Sequence, residues 1–143
     1  MLFELVGQHS PTTVPILDGK IILLVDGDEK LRRLVATLLG LHGALVIDAE
    51  SAQNAITLLD IGVPDILVSD LCMLTEDGND LIRCVRARSL ERGGAVPAIA
   101  LTEEYTPESR EAALAAGFQE LLPRYLDANH LASTARHLVG PMP

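Results

Sequence analysis

Apolar residues recur along this chain in two alternating rhythms. Continuous runs appear at Lys20-Ile21-Ile22-Leu23-Leu24-Val25, Ala44-Leu45-Val46-Ile47, Asp65-Ile66-Leu67-Val68-Ser69 and Ala98-Ile99-Ala100-Leu101, and Gln119 to Leu122 is read as a fifth strand. Short, nearly unbroken apolar runs are read as strands covered on both faces. Between them the spacing changes to helical. Leu31, Leu34, Val35, Leu38 and Leu39 form one stripe, Ala52, Ala55, Ile56 and Leu59 a second, and Leu81, Ile82 and Val85 a third. Pro107 to Ala116 predicts a fourth helix, and Leu131, Ala135 and Leu138 mark a fifth. Local chemistry punctuates these elements. Gly40 and His42-Gly43 stop the first helix, Ser51 N-caps the second, and Arg92-Gly93-Gly94 closes the third. Pro107 sits in the first turn of the fourth helix and Gly117 ends it.

Five β–α units in strict alternation predict an α/β, doubly wound parallel sheet. Parallel neighbours need crossover connections, and the helices supply them on both faces. Residues 1–19 carry Gly7, Ser10-Pro11, Pro15 and Gly19 without periodicity and are expected to be an arm or linker. Residues 20–140 are expected to form one domain.

Composition narrows the function classes. With 143 residues, 48% hydrophobic and 22% charged, the chain is long enough for one adequate core. Aromatics are only 3% and Trp is absent, so that core must be Leu, Ile, Val and Ala. The net charge of −9, with no basic cluster, opposes binding to nucleic acid or an anionic membrane. No apolar stretch approaches a membrane span, and Met1-Leu2-Phe3-Glu4 lacks the basic start of a signal peptide. Cys72 and Cys84 form no metal-like pair, and none of the histidines has metal spacing. A cytoplasmic location with reduced thiols is expected.

The chemistry gathers where strands end. The first run delivers Asp26-Gly27-Asp28, the third Asp70, and the fourth Thr102. Ligands of open parallel sheets bind at the carboxyl ends of the strands. Acidic groups beside a hydroxyl there suit a divalent cation and a phosphoryl group. Asp28 has an equal claim as N-cap of the first helix. Asp77-Gly78 reads as a turn, and Glu103-Glu104 as a solvated approach to the fourth helix.

Leu24-Val25-Asp26, Asp70-x-x-Met73-x-x-x-Asp77-Gly78, Ala100-Leu101-Thr102 and Ala115-Ala116-Gly117 resemble a receiver domain of two-component signalling. The phrase Pro97 to Thr102, with Ala116-Gly117-Phe118-Gln119, is most similar to receivers of hybrid sensor histidine kinases. The resemblance implies a flavodoxin-like five-stranded sheet of order 2-1-3-4-5. It implies that Asp70 accepts a phosphoryl group, that Asp26, Asp28, Asp70 and the Cys72 backbone carbonyl hold Mg²⁺, and that Thr102 and Arg124 contact the phosphoryl oxygens. It further implies a histidine kinase or histidine phosphotransfer protein as partner, in trans or within a longer hybrid kinase chain. No turnover of an external substrate, no nucleic acid, no membrane, and a monomer or weak dimer are expected.

The chain also departs from the family pattern. Gly27 stands where a second acid usually follows the first strand, and that position normally ligates the metal. Arg124 replaces the usual lysine after the fifth strand, and Tyr125 a common proline. Glu103 follows Thr102 where a small residue leaves the pocket open, and its carboxylate is expected to repel a phosphoryl donor. Leu121 takes the place of the switch aromatic. Gly27, Glu103, Arg124 and Leu121 together support an alternative reading, a phosphorylation-independent docking module. A third and remote one is a haloacid-dehalogenase-like phosphohydrolase, from the DxD of Asp26-Gly27-Asp28. It lacks the Thr or Val expected at Lys30, any later metal motif and a cap domain.

Overall fold

The computed structural model describes residues 16–125 and 128–140. Strands β1 (Ile21–Val25), β2 (Leu45–Ala49), β3 (Ile66–Asp70), β4 (Ala98–Thr102) and β5 (Glu120–Pro123) form one sheet of order β2-β1-β3-β4-β5. Every neighbouring pair is parallel. The connecting helices are α1 (Glu29–Leu41), α2 (Ala52–Ile61), α3 (Leu81–Arg86), α4 (Pro107–Ala116) and α5 (Ala128–Leu138).

The continuous apolar runs follow from this layering. Successive strand side chains point to opposite faces, so each run feeds two cores. Leu23, Val25, Leu67, Ala98, Ala100 and Leu121 meet α2, α3 and Ala113 of α4 on one side. Ile22, Leu24, Ile66, Val68, Ile99, Leu101 and Leu122 meet Val35 and Leu39 of α1, and Leu131 and Ala135 of α5, on the other. The β2 run is the exception. Leu45 and Ile47 are 59% and 47% exposed, because β2 is an edge strand paired only with β1.

Two boundaries differ from expectation. Leu17 is fully buried and its N–H bonds the His42 carbonyl at 2.9 Å, while the Gly19 N–H bonds Gly43 at 3.1 Å. Residues 16–19 therefore belong to the folded body, not to an arm. The rest of the expected arm, residues 1–15, lies outside the described residues. The third helix stops at Arg86, and the chain continues into a separate 3₁₀ turn, Leu90–Arg92. Gly94 then passes so near the backbone that a Cβ there would lie 2.0 Å from the Arg88 carbonyl oxygen. Spacing alone did not distinguish one helix from a helix and a turn.

Arg86 explains how the segments entering β4 and β5 are tied. Its Nε donates to the Gly117 carbonyl at 2.9 Å, and its Nη1 to Val96 at 2.6 Å and Gly94 at 3.2 Å. Nη2 reaches Gln119 Oε1 at 3.1 Å, an oxygen that also accepts the Ala98 N–H at 2.7 Å. Gly117 must be glycine here. Its φ is +128°, and a Cβ would sit 2.9 Å from the Arg86 Cγ.

Candidate functional site

At the carboxyl edge, the ladder itself sets the side chains side by side. Val25 is level with Ser69, Asp70 with Leu101, and Thr102 with Pro123. Pairing then runs one step further. The Asp26 N–H bonds Ala49 at 3.1 Å, the Leu71 N–H bonds Leu101 at 2.9 Å, and the Arg124 N–H bonds Thr102 at 2.7 Å. Asp26, Asp70, Thr102 and Arg124 are thus carried on hydrogen-bonded backbone, which makes their placement rigid.

Asp26 is 2% exposed and heavily engaged. Its Oδ1 accepts Arg124 Nη2 at 2.6 Å and the Asp28 N–H at 2.8 Å. Arg124 Nη1 donates to Glu103 Oε1 at 2.8 Å, so one guanidinium bridges the ends of β1, β4 and β5. The Arg124 Nε is buried and has no partner among the described residues. Burial works against the charged guanidinium. The hydrogen bond to Asp26 and the charges of Asp26 and Asp70 outweigh it, and the pKa of Arg124 is raised. Arg32 supports the same corner by donating Nη1 to the Asp26 carbonyl at 2.8 Å.

Asp70 contrasts with Asp26. It is half-buried, and its Oδ1 accepts one long hydrogen bond, from the Cys72 N–H at 3.3 Å. Ser69, fully buried, donates its hydroxyl to the Asp70 carbonyl at 2.9 Å and pins the backbone at that point. The Asp70 carboxylate is therefore well positioned and lightly committed.

Two of the other expected side chains, Asp28 and Thr102, make local hydrogen bonds. Asp28 Oδ1 accepts the N–H groups of Lys30 at 3.0 Å and Leu31 at 3.2 Å, the geometry of an N-cap on α1. The Thr102 hydroxyl lies in a local turn, accepting the Glu104 N–H at 3.2 Å. Helix α4 is capped by Thr106 instead, in a reciprocal pair with Ser109. Cys72 is an exposed free thiol. Glu103, 65% exposed, is not merely a solvated residue, since it holds Arg124. Its one-position offset beyond a strand end, opposite a cation at the next strand end, is a signal the sequence did contain.

Comparison with known proteins places this arrangement. The profile of the response regulator receiver domain matches residues 22–136. The chain belongs to this receiver family. An uncharacterized 14.6 kDa protein in the sodA1 3′ region of Leptolyngbya boryana is 42% identical over 106 residues, covering 74% of this receiver and 79% of that protein. The KDP operon transcriptional regulatory protein KdpE of Escherichia coli is 30% identical over 115 residues, which cover 80% of this receiver but 49% of the regulator. This receiver thus spans about half the length of that regulator. Among solved structures, the receiver domain of sensor histidine kinase PA1611 from Pseudomonas aeruginosa matches with a TM-score of 0.75 at 26% identity. The match covers 86% of this receiver and 99% of that chain, which holds a magnesium ion in its active site cleft.

The residues of this receiver fit such an ion poorly. Mg²⁺ demands near-octahedral oxygen ligands and is usually held by one or two carboxylates. Here Gly27 adds no side-chain donor, Asp28 caps a helix, and Asp26 is bound to a guanidinium. Among the described residues no group of three His, Cys, Asp or Glu side chains is placed to hold a metal. No described helix is long and apolar enough to cross a membrane.

Proposed function

We propose that this receiver accepts a phosphoryl group on Asp70 from a phosphohistidine of a histidine kinase or histidine phosphotransfer protein. The observation that carries this reading is the open Asp70 carboxylate, held at the end of β3 within the electrostatic reach of the cationic Arg124. In the step, an Asp70 carboxylate oxygen bonds to phosphorus as the histidine N–P bond breaks. The donor imidazole keeps the electron pair of that bond. Two negative groups must approach one another, and like charges about 4 Å apart repel by about 4 kcal/mol at an effective dielectric near 20. Arg124 offsets that repulsion from a fixed position, without reorganisation during transfer. The Thr102 hydroxyl would have to turn from its local bond to reach a phosphoryl oxygen. A cytoplasmic setting is part of the same proposal.

Asp26 is a poor nucleophile by comparison, being buried and bonded to Arg124, which disfavours the phosphohydrolase reading. One observation favours the docking-module reading. Glu103 occupies Arg124 Nη1, a donor that a phosphoryl oxygen would otherwise use.

Exposure to a small phosphoramidate donor, followed by intact mass, tests the proposal. A gain of one phosphoryl group that disappears in Asp70→Asn is the expected result. Absence of any gain in the wild type, in Mg²⁺-containing and chelated buffer alike, would support the docking module instead.

A further inference from the structure

We propose that Arg124 is the resident counter-cation of this pocket, taking the place of a divalent metal in balancing its carboxylates, with Glu103 as the clamp that keeps it there. The inference rests on the receiver reading above but concerns charge balance, not the transfer itself.

Four observations converge. The Arg124 side chain is 11% exposed and its partner Asp26 2%, so their 2.6 Å contact lies largely out of water. Such a contact resists displacement far better than an exposed pair. Next, Asp26 Oδ1 accepts both the guanidinium and the Asp28 N–H, leaving little capacity on that oxygen for an ion. Third, the neighbouring acid, Asp28, is committed to two N–H groups of α1, and Gly27 contributes nothing. Finally, Glu103 Oε1 holds the second arm of the guanidinium at 2.8 Å, which fixes its plane between β1 and β4. A dication entering here would meet a cation already bonded to the carboxylate it needs.

The position of Gly27 makes the idea testable by addition as well as removal. A Cβ there would meet only the Glu50 carbonyl oxygen, at 3.7 Å, an ordinary contact. Its backbone is not in the left-handed region, so an aspartate is sterically admissible.

The experiment is a Mg²⁺ titration of the full chain, read by backbone amide shifts and by calorimetry, on wild type, Arg124→Ala, Glu103→Gln and Gly27→Asp. The wild type is expected to show no saturation below millimolar Mg²⁺. Arg124→Ala and Gly27→Asp are each expected to bind about tenfold tighter or more, and Glu103→Gln less than either. Should Arg124→Ala fail to fold, Gly27→Asp and Glu103→Gln carry the test. Saturation of the wild type at submillimolar Mg²⁺ overturns the proposal, and so does failure of every folded variant to gain affinity. The two readings fail separately. A chain that is phosphorylated on Asp70 and binds Mg²⁺ tightly keeps the receiver reading and loses this one. A chain that binds no Mg²⁺ until Arg124 or Gly27 is changed, yet is never phosphorylated, does the reverse.

Discussion

Two arginines, Arg86 and Arg124, sit at opposite ends of the same sheet and are half-buried for different purposes. Arg86 is surrounded by neutral acceptors, the carbonyls of Gly94, Val96 and Gly117 and the amide of Gln119. Burial lowers its pKa, and no carboxylate is among its partners in the described residues. Arg124 is surrounded by carboxylates, and its pKa moves the other way. Both remain cationic wherever the protein is folded. The difference lies in what each leaves behind when removed. Arg86 would leave unpaired carbonyls, a cost to the fold. Arg124 would leave unpaired charge beside Asp70, a cost to the site.

The two roles separate when Arg86 itself and then the buried carboxylate partner of Arg124 are removed. Arg86→Ala is expected to cost about 4 kcal/mol in urea unfolding, from lost packing and several unsatisfied buried carbonyls. Asp70 chemistry in the folded fraction should be unaltered. Asp26→Ala comes next, at about 3 kcal/mol, because it takes the buried partner from a largely buried guanidinium and leaves the exposed Glu103 to hold it. A lysine scan separates the two roles further. Arg86→Lys should recover little, since one ammonium cannot reproduce a planar fork aimed at four oxygens. Arg124→Lys should lose no more than about 1.5 kcal/mol, because a single charge still reaches Asp26. Smallest of all, Glu103→Gln should shift stability by less than about 1 kcal/mol, the range of exposed pairs, while loosening Arg124. An Arg124→Lys variant that unfolds as readily as Arg86→Ala would erase the distinction.

Much of this molecule was legible in its residues. The five strands and their helices followed from two periodicities, and the strand-end positions of Asp26, Asp70 and Thr102 followed from where each apolar run stopped. Ser51 and Pro107 marked helix starts correctly because capping is a local interaction. What stayed hidden depends on contacts between distant segments. The Arg86 cage links residues up to 33 positions apart, and nothing local to Arg86 announces it. The clamp joining Asp26, Glu103 and Arg124 spans 98 positions at its longest. Glu103 was expected to repel an arriving phosphoryl donor, yet its nearest charged partner is the pocket's own cation. Asp28 shows the same limit from another side. Capping and metal binding use the same carboxylate and the same position after a strand, so only geometry separates them. Leu17 was hidden because Pro15 and Gly19 flank a short apolar pair that has no periodicity of its own.

This receiver joins an open carboxylate, Asp70, to a built-in cation, Arg124. The most direct test is intact-mass measurement of the wild-type chain after phosphoramidate treatment, across a Mg²⁺ series that begins in excess chelator. A single phosphoryl gain on Asp70 is expected already in chelator, with a rate that changes little as Mg²⁺ is added. A gain that appears only with Mg²⁺ and rises in proportion to it, or no gain at any concentration, would contradict it.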